Sequence, residues 1–237
     1  MGDELDLSQE TSWFHEERAR AAVSAFQRRH VNAQFVRNKE DALSVLLPMV
    51  PDGSTVSFGD SLTLDEIGIA NSLRKRGGIT VLSPMDRAED GSLVVNGKEC
   101  LDMIRQAFFS DVYMTGMNAV TLDGKLVGTD ALGNRLAPVI FGPRKVIVVA
   151  GANKIVKDVN AAMERIHQIA APINAKRHAL KHHNENYGNL PCAKTGICVD
   201  CNSEFRICKA TIIIEGTATG LHKDRLNVVL IGESLGI

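Results

Sequence analysis

The chain has 237 residues, 44% of them apolar and 23% charged, with 27 basic against 28 acidic side chains and a net charge of −1. That length can bury a substantial core, and the balanced charge supplies no overall field to draw the protein to nucleic acid. No apolar run nears the roughly 20 residues that cross a bilayer, and the acidic opening MGDELDLSQETSW lacks the basic and apolar regions of a signal peptide, so a cytoplasmic protein is expected.

The N-terminal region carries Trp13, Ala19, Ala22, Val23 and Phe26 near helical spacing. Arg18, Arg20, Arg28 and Arg29 are the densest basic group, but they lie among acids and read as a solvated helix face. A short extended piece, AQFVRN, precedes a helix in DALSVLLPMV that Pro48 and Pro51 stop. The chain then alternates: strand STVSFGD, helix LTLDEIGIANSLRKRG closed by Gly77-Gly78, strand GITVLSP, helix CLDMIRQAFFS and strand DVYMTG. In NAVTLDGKLVG two β-rich runs flank Asp123-Gly124, the dipeptide favoured in type I′ hairpins. A short helix around NRLAPVIFG, an apolar strand RKVIVVAG, helices in DVNAAMERIHQIAAP and INAKRHALKHH, and strands KATIIIEG and LNVVLIGE complete the chain. Val- and Ile-rich strands separated by helices imply an α/β fold, with a mostly parallel sheet, helices on both faces and an added hairpin.

In such sheets ligands bind outside the carboxyl ends of the strands. Four loops meet that rule: FGDS at 58–61, TGMN at 115–118, GTDALGNR at 128–135 and AGANK at 150–154. Ser57, Gly59 and Ser61 surround a turn into a helix, where backbone N–H groups and hydroxyls favour an anion. Simple capping by Ser61, or by a Thr63–Glu66 capping box, is compatible with that role. Asn118 closes the second loop. In the third, Gly128, Thr129, Asn134 and Arg135 suggest a guanidinium clamp on carboxylate or phosphate, with a turn closed by a surface ion pair as the alternative. Lys154 is a candidate to neutralise an anion, or decorates a helix start. Neither G-x-G-x-x-G nor G-x-x-x-x-G-K-[ST] occurs, which disfavours a dinucleotide or P-loop site. His182 and His183 are either solvated or available as ligands or proton shuttles.

Five cysteines in a reducing compartment argue for metal or redox chemistry rather than disulfides. Four form the array Cys192-x5-Cys198-x2-Cys201-x6-Cys208, while Cys100 stands apart on a helix as a small core residue. Four thiolates can enclose tetrahedral zinc or hold an iron–sulfur cluster. The spacing matches neither a zinc ribbon nor the ferredoxin run, so it points to a metal without naming it. A redox pair at Cys198 and Cys201 would leave the other two unexplained.

The segments SFGDSLTLDEIGI, NAVTLDGKLVGTDALGNRLAPVIFGPRKVIVVAGANKIV, INAKRHA and LPCAKTGICVDCNSEFRICKATIIIEG resemble the LUD (lactate-utilisation) domain family, and within it the stand-alone bacterial and archaeal proteins. The resemblance spans roughly residues 10 to 235. It implies a single domain over 1–237, similar to the NagB/RpiA/CoA transferase-like fold. Within it a helical part would cover about 9–50, an α/β core about 51–172 and 209–237, and a cysteine-containing excursion about 173–208. It further implies a subunit or accessory in the oxidation of L-lactate to pyruvate, which, if itself an enzyme, would be an oxidoreductase component acting on a small 2-hydroxy acid. The expected partners are a small anionic metabolite and the iron–sulfur protein subunits of a lactate oxidation system. Asp123 and Asp130 are the candidate general bases, Asp123 also fitting the hairpin turn. Two other readings stand beside this one. An isomerase or acyl-CoA transferase acting on a phosphorylated or thioester substrate is disfavoured because FGDS, TGMN and GTDALGNR contain no Glu nucleophile. A non-catalytic binding or assembly subunit needs neither nucleophile nor base.

Overall fold

A computed structural model describes residues 5–88, 92–95, 97–217 and 219–237; the first four residues of the acidic opening lie outside them. Among the described residues ten strands form two sheets. The main sheet contains β1 (Asn32–Val36), β2 (Thr55–Phe58), β3 (Thr80–Leu82), β4 (Val112–Gly116), β7 (Lys145–Gly151) and β10 (Leu226–Ile231) in the order β1-β10-β7-β4-β2-β3. Every pairing within it is parallel. β7 shows why the apolar run RKVIVVAG reads as a central strand. Val146, Val148 and Ala150 face one core with α1 (Ser8–Arg28), while Ile147 and Val149 face another with α2 (Lys39–Leu46), α3 (Leu62–Ile67) and α4 (Ile69–Arg76). A strand covered on both faces has no polar side to alternate with.

The second sheet runs β8 (Ile155–Val156), β5 (Ala119–Thr121), β6 (Leu126–Asp130), β9 (Ala210–Ile214). KATIIIEG therefore pairs antiparallel with the hairpin, Asp130 opposite Ala210, instead of extending the parallel sheet. The hairpin forms as expected, but not with a type I′ turn. Gly124 alone in the turn has positive φ, at 82°, its N–H donates to Thr121 O, and the Thr121 N–H donates to Lys125 O. That is a three-residue loop ending in a left-handed glycine. A side chain on Gly124 would also meet the backbone of Ala25 and Phe26 in α1.

Two helical expectations are revised. LTLDEIGIANSLRKRG breaks at Gly68 (φ 73°) into α3 and α4, and Ser61, not Thr63, caps α3 by accepting from Leu64 N–H. After α5 (Gly97–Gln106) and α6 (Ala137–Ile140), the chain from α7 (Val159–Arg165) to α8 (Ala171–Lys181) stays helical past Pro172, through a π turn at Ile166–Ala170. Pro172 sits in the first turn of α8, where its missing N–H costs little, and the widened turn frees the room it needs. Trp13, placed by spacing on the buried stripe of α1, is 64% exposed. Beyond α8 the short helices α9 (Glu185–Gly188) and α10 (Pro191–Thr195) begin an excursion that returns to β9 without further regular structure.

Candidate functional site

β4 lies between β2 and β7 in the parallel sheet, so the loops after these three strands converge. They meet the end of β6 around a cavity of about 520 Å³. Six of the expected ligand groups line it: Ser61, Asn118, Thr129, Asn134, Arg135 and Lys154. Ser57, Gly59 and Gly128 stand behind it. Ser57 is fully buried and its hydroxyl has no partner among the described residues. Gly59 is needed for packing, since a Cβ there would sit 2.4 Å from Tyr113 Oη and 2.8 Å from Arg135 Cγ. Gly128 is packed beneath Met117 and Leu136. Of the two candidate bases, Asp130 lines the cavity. Asp123 does not: it is at the hairpin tip, in ion pairs with Arg29 at 3.6 Å and Lys125 at 3.4 Å.

Arg135 faces inward. Its guanidinium donates to Gly116 O (2.8 Å), Asn118 Oδ1 (2.9 Å), Thr129 O (3.1 Å) and Asp130 Oδ1 (3.1 Å from Nε). Asp130 Oδ2 accepts the backbone N–H groups of Arg135 and Leu136, both at 3.0 Å. Tyr113, whose phenol burial pushes well above its ordinary range, donates to Arg135 O at 2.9 Å. A guanidinium with four donors committed to protein oxygens braces the loops after β4 and β6 and has little left for a ligand. The same bonds engage both oxygens of Asp130, which argues against its serving as a general base.

Of the other cations, Lys154 belongs to the fourth loop, while Arg165 and Arg177 come from helices the loop rule does not include. Arg165 ties two loops together, donating to Asn153 O (3.0 Å) and Asn118 O (2.6 Å). Lys154 is 4% exposed, and its ammonium nitrogen donates to Thr63 Oγ1 at 2.7 Å. Burial, then the charges of Arg165 and Arg135, bring the Lys154 amine down to about 7. Arg177 of α8 bridges to Asp60 at 2.7 Å across the cavity, and its buried Nε–H has no partner among the described residues. Next to it, burial and the Asp60 charge raise the Asp65 carboxyl to about 6. His178, one residue beyond Arg177, lines the cavity, stacks on Tyr187 with ring centroids 4.8 Å apart and meets His182 Nδ1 to Nδ1 at 2.9 Å. Burial lowers His178 and takes His182 to about 4, so both rings are neutral near neutral pH. His183 is exposed and lies outside the cavity lining. The segment INAKRHA carried these residues into view, but nothing local in it says that α8 folds over the strand ends.

The excursion supplies the remaining wall. Phe205, Arg206, Ile207 and Lys209 line the cavity, and Arg206 and Ile207 also line a second, smaller one of about 20 Å³. All four cysteines of the array border that second cavity. The array thus lies directly behind the wall of the large cavity. Arg206 holds it, with Nε 3.1 Å from Cys208 Sγ, Nη1 donating to Cys201 O at 2.9 Å and Nη2 paired with Asp200 at 2.7 Å. Burial, then the neighbouring Cys201, Cys208 and Cys198, push the Cys192 thiol up. Among the described residues no group of three or more His, Cys, Asp or Glu stands in the geometry of a formed metal site. The four thiols nonetheless border one space of about 20 Å³, and soft thiols are the donor type that zinc and iron–sulfur clusters take.

These features define a class: an α/β protein with a strand-end cavity flanked by buried cations. The chain belongs to the LUD domain family, whose model matches residues 19–231. A crystal structure of a DUF162 family protein from Deinococcus radiodurans is similar in fold, with a TM-score of 0.50 at 11% identity over 92% of this chain and 98% of that one. Partial likenesses to the decarboxylase AibA/AibB (TM-score 0.32, 18% identity, 47% of this chain and 58% of that one) and to eIF2B delta from Chaetomium thermophilum (0.33, 19%, 53% and 50%) carry no argument. No match is found among curated proteins.

Proposed function

We propose that this lactate-utilisation-related protein binds a small 2-hydroxy or 2-oxo acid at the strand ends and serves as a subunit or accessory in the oxidation of L-lactate to pyruvate. The observation that carries the proposal is Arg177, a half-buried guanidinium that lines the cavity with a buried Nε–H unmet among the described residues, beside the buried Lys154. A carboxylate offers two oxygens to such donors, and a buried donor without an acceptor costs about 1–3 kcal/mol. The cavity volume suits a small metabolite with its water.

The same proposal assigns Cys192, Cys198, Cys201 and Cys208 to one metal ion, with Arg206 as the group that orients Cys208. The small space favours zinc holding the wall in shape over a cluster passing electrons, so electrons would go to partner subunits. L-lactate-dependent dye reduction by the anaerobically purified chain, with and without iron–sulfur protein subunits, tests the accessory role. Turnover only with the subunits present is expected, and turnover by the chain alone would contradict it. Metal analysis of the same sample should give one zinc per chain; several irons with sulfide would replace zinc by a cluster, and a metal-free, fully competent chain would remove the metal altogether.

A further inference from the structure

Lys154 differs from an ordinary anion-binding lysine. It follows β7 in a single 3-10 turn, Ala152–Lys154, and is almost wholly buried while bordering the cavity. No ion pair to its ammonium group is present among the described residues, and its hydrogen bond is to a hydroxyl. The Thr63 hydroxyl in turn donates to Leu235 O at 3.3 Å, so toward Lys154 it can only accept. One N–H of the amine is thereby fixed, and its lone pair is left to point elsewhere. The charged groups acting on it are mostly cationic: Arg165 and Arg135 oppose a positive charge, and Glu66, whose Oε1 accepts the Gly236 N–H at 3.1 Å, favours it only weakly. A lysine kept to hold an anion would gain from a charged state. Here the surroundings make that state costly, as they do for amines that act as nucleophiles.

We infer that Lys154 is the amine nucleophile of the strand-end cavity and forms an imine with a 2-oxo acid held there. The substrate class rests on the function proposed above; the nucleophile rests on the surroundings of Lys154. The Nζ lone pair adds to the C2 carbonyl, making a C–N bond and a carbinolamine. The C2 oxygen then leaves as water with the two protons the amine gives up, and a C=N bond remains. Nothing is oxidised or reduced, and no co-reactant is required. Arg177, bordering the same cavity, is the group for the carboxylate. An imine at C2 draws electrons from C3, so proton exchange at the methyl group of pyruvate is the reactivity it confers.

The test is reductive trapping. The full chain is incubated with pyruvate, treated with borohydride, and analysed by intact mass and peptide mapping, with L-lactate as the carbonyl-free control. The expected result is a single adduct on Lys154 with the mass of pyruvic acid less one oxygen, absent with L-lactate and at least tenfold reduced in Lys154→Met. Met keeps the volume without the amine, and a thermal melt confirms its fold; if it fails to fold, peptide mapping of the wild type still locates the adduct. Pyruvate binding is measured in parallel by calorimetry. Binding without an adduct would overturn the nucleophile and leave the binding function standing. Neither binding nor adduct would overturn both. Adducts scattered over surface lysines, or undiminished in Lys154→Met, would also overturn it.

Discussion

The floor of the cavity and its outer wall are built by opposite means. The floor is the carboxyl edge of a parallel sheet, braced by Arg135 and Arg165 through hydrogen bonds to the loop after β4, while Asp130 closes the loop after β6 on itself. The wall is an excursion whose buried apolar residues are only Ala175, Leu190 and Ala193, with Tyr187, Cys192, Cys201 and Ile207 packed against them. Ile197 and Val199, beside the cysteines, are 60% and 62% exposed. So small a core cannot offset the backbone entropy of about 1–2 kcal/mol per ordered residue. The difference teaches where a metal would matter: the floor does not need one, while an ion bound to its thiols would supply the wall with much of the order its core lacks.

That contrast can be broken at the floor first. Arg135→Ala leaves the buried Asp130 carboxylate without its guanidinium and should cost about 3–5 kcal/mol of global stability in chemical denaturation. A loss below about 1 kcal/mol would mean that Arg135 does not brace the loops. Next comes Lys154→Met. The folded amine sits near 7 against 10.5 for the free side chain, so between those values the unfolded chain binds a proton that the folded one lacks. Wild-type stability should therefore rise with pH from about 7 to 10.5, and below 7 the burial penalty is fully felt. Lys154→Met should abolish that rise and gain roughly 4 kcal/mol at pH 7, less what the Thr63 hydrogen bond contributed. Parallel melting curves for the two proteins across this range would disprove it. Smallest in global terms is Cys201→Ser. It should shift overall stability by less than about 1 kcal/mol while amide exchange accelerates across 196–209, because local opening is independent of the main core. Unchanged exchange there would make the wall as self-sufficient as the floor.

What the sequence reveals follows the same division. Parallel strands announce themselves as β-branched runs, and RKVIVVAG, DVYMTG and LNVVLIGE all take their expected places. The excursion hides its purpose because its contacts are long-range. Arg177 reaches Asp60 across 117 positions, and no local pattern encodes that pairing. The hairpin was legible and its turn type was not, since Leu122-Asp123-Gly124 suits a three-residue loop as well as Asp-Gly suits two. Arg135 beside glycines reads as a clamp until Asp130, five residues earlier, claims its guanidinium. The cysteine spacing says nothing of how near the array lies to the strand ends, and only the fold places Arg206 and Ile207 between the two cavities.

The central claim is that the strand-end cavity receives a small carboxylate on Arg177. Calorimetric titration of pyruvate into wild type and Arg177→Ala at pH 7 tests it most directly. Saturable binding is expected, weakened in the variant by about 1.5–3 kcal/mol, the worth of a hydrogen bond to a charged group. Equal affinities for the two proteins, or no binding to either, would contradict it.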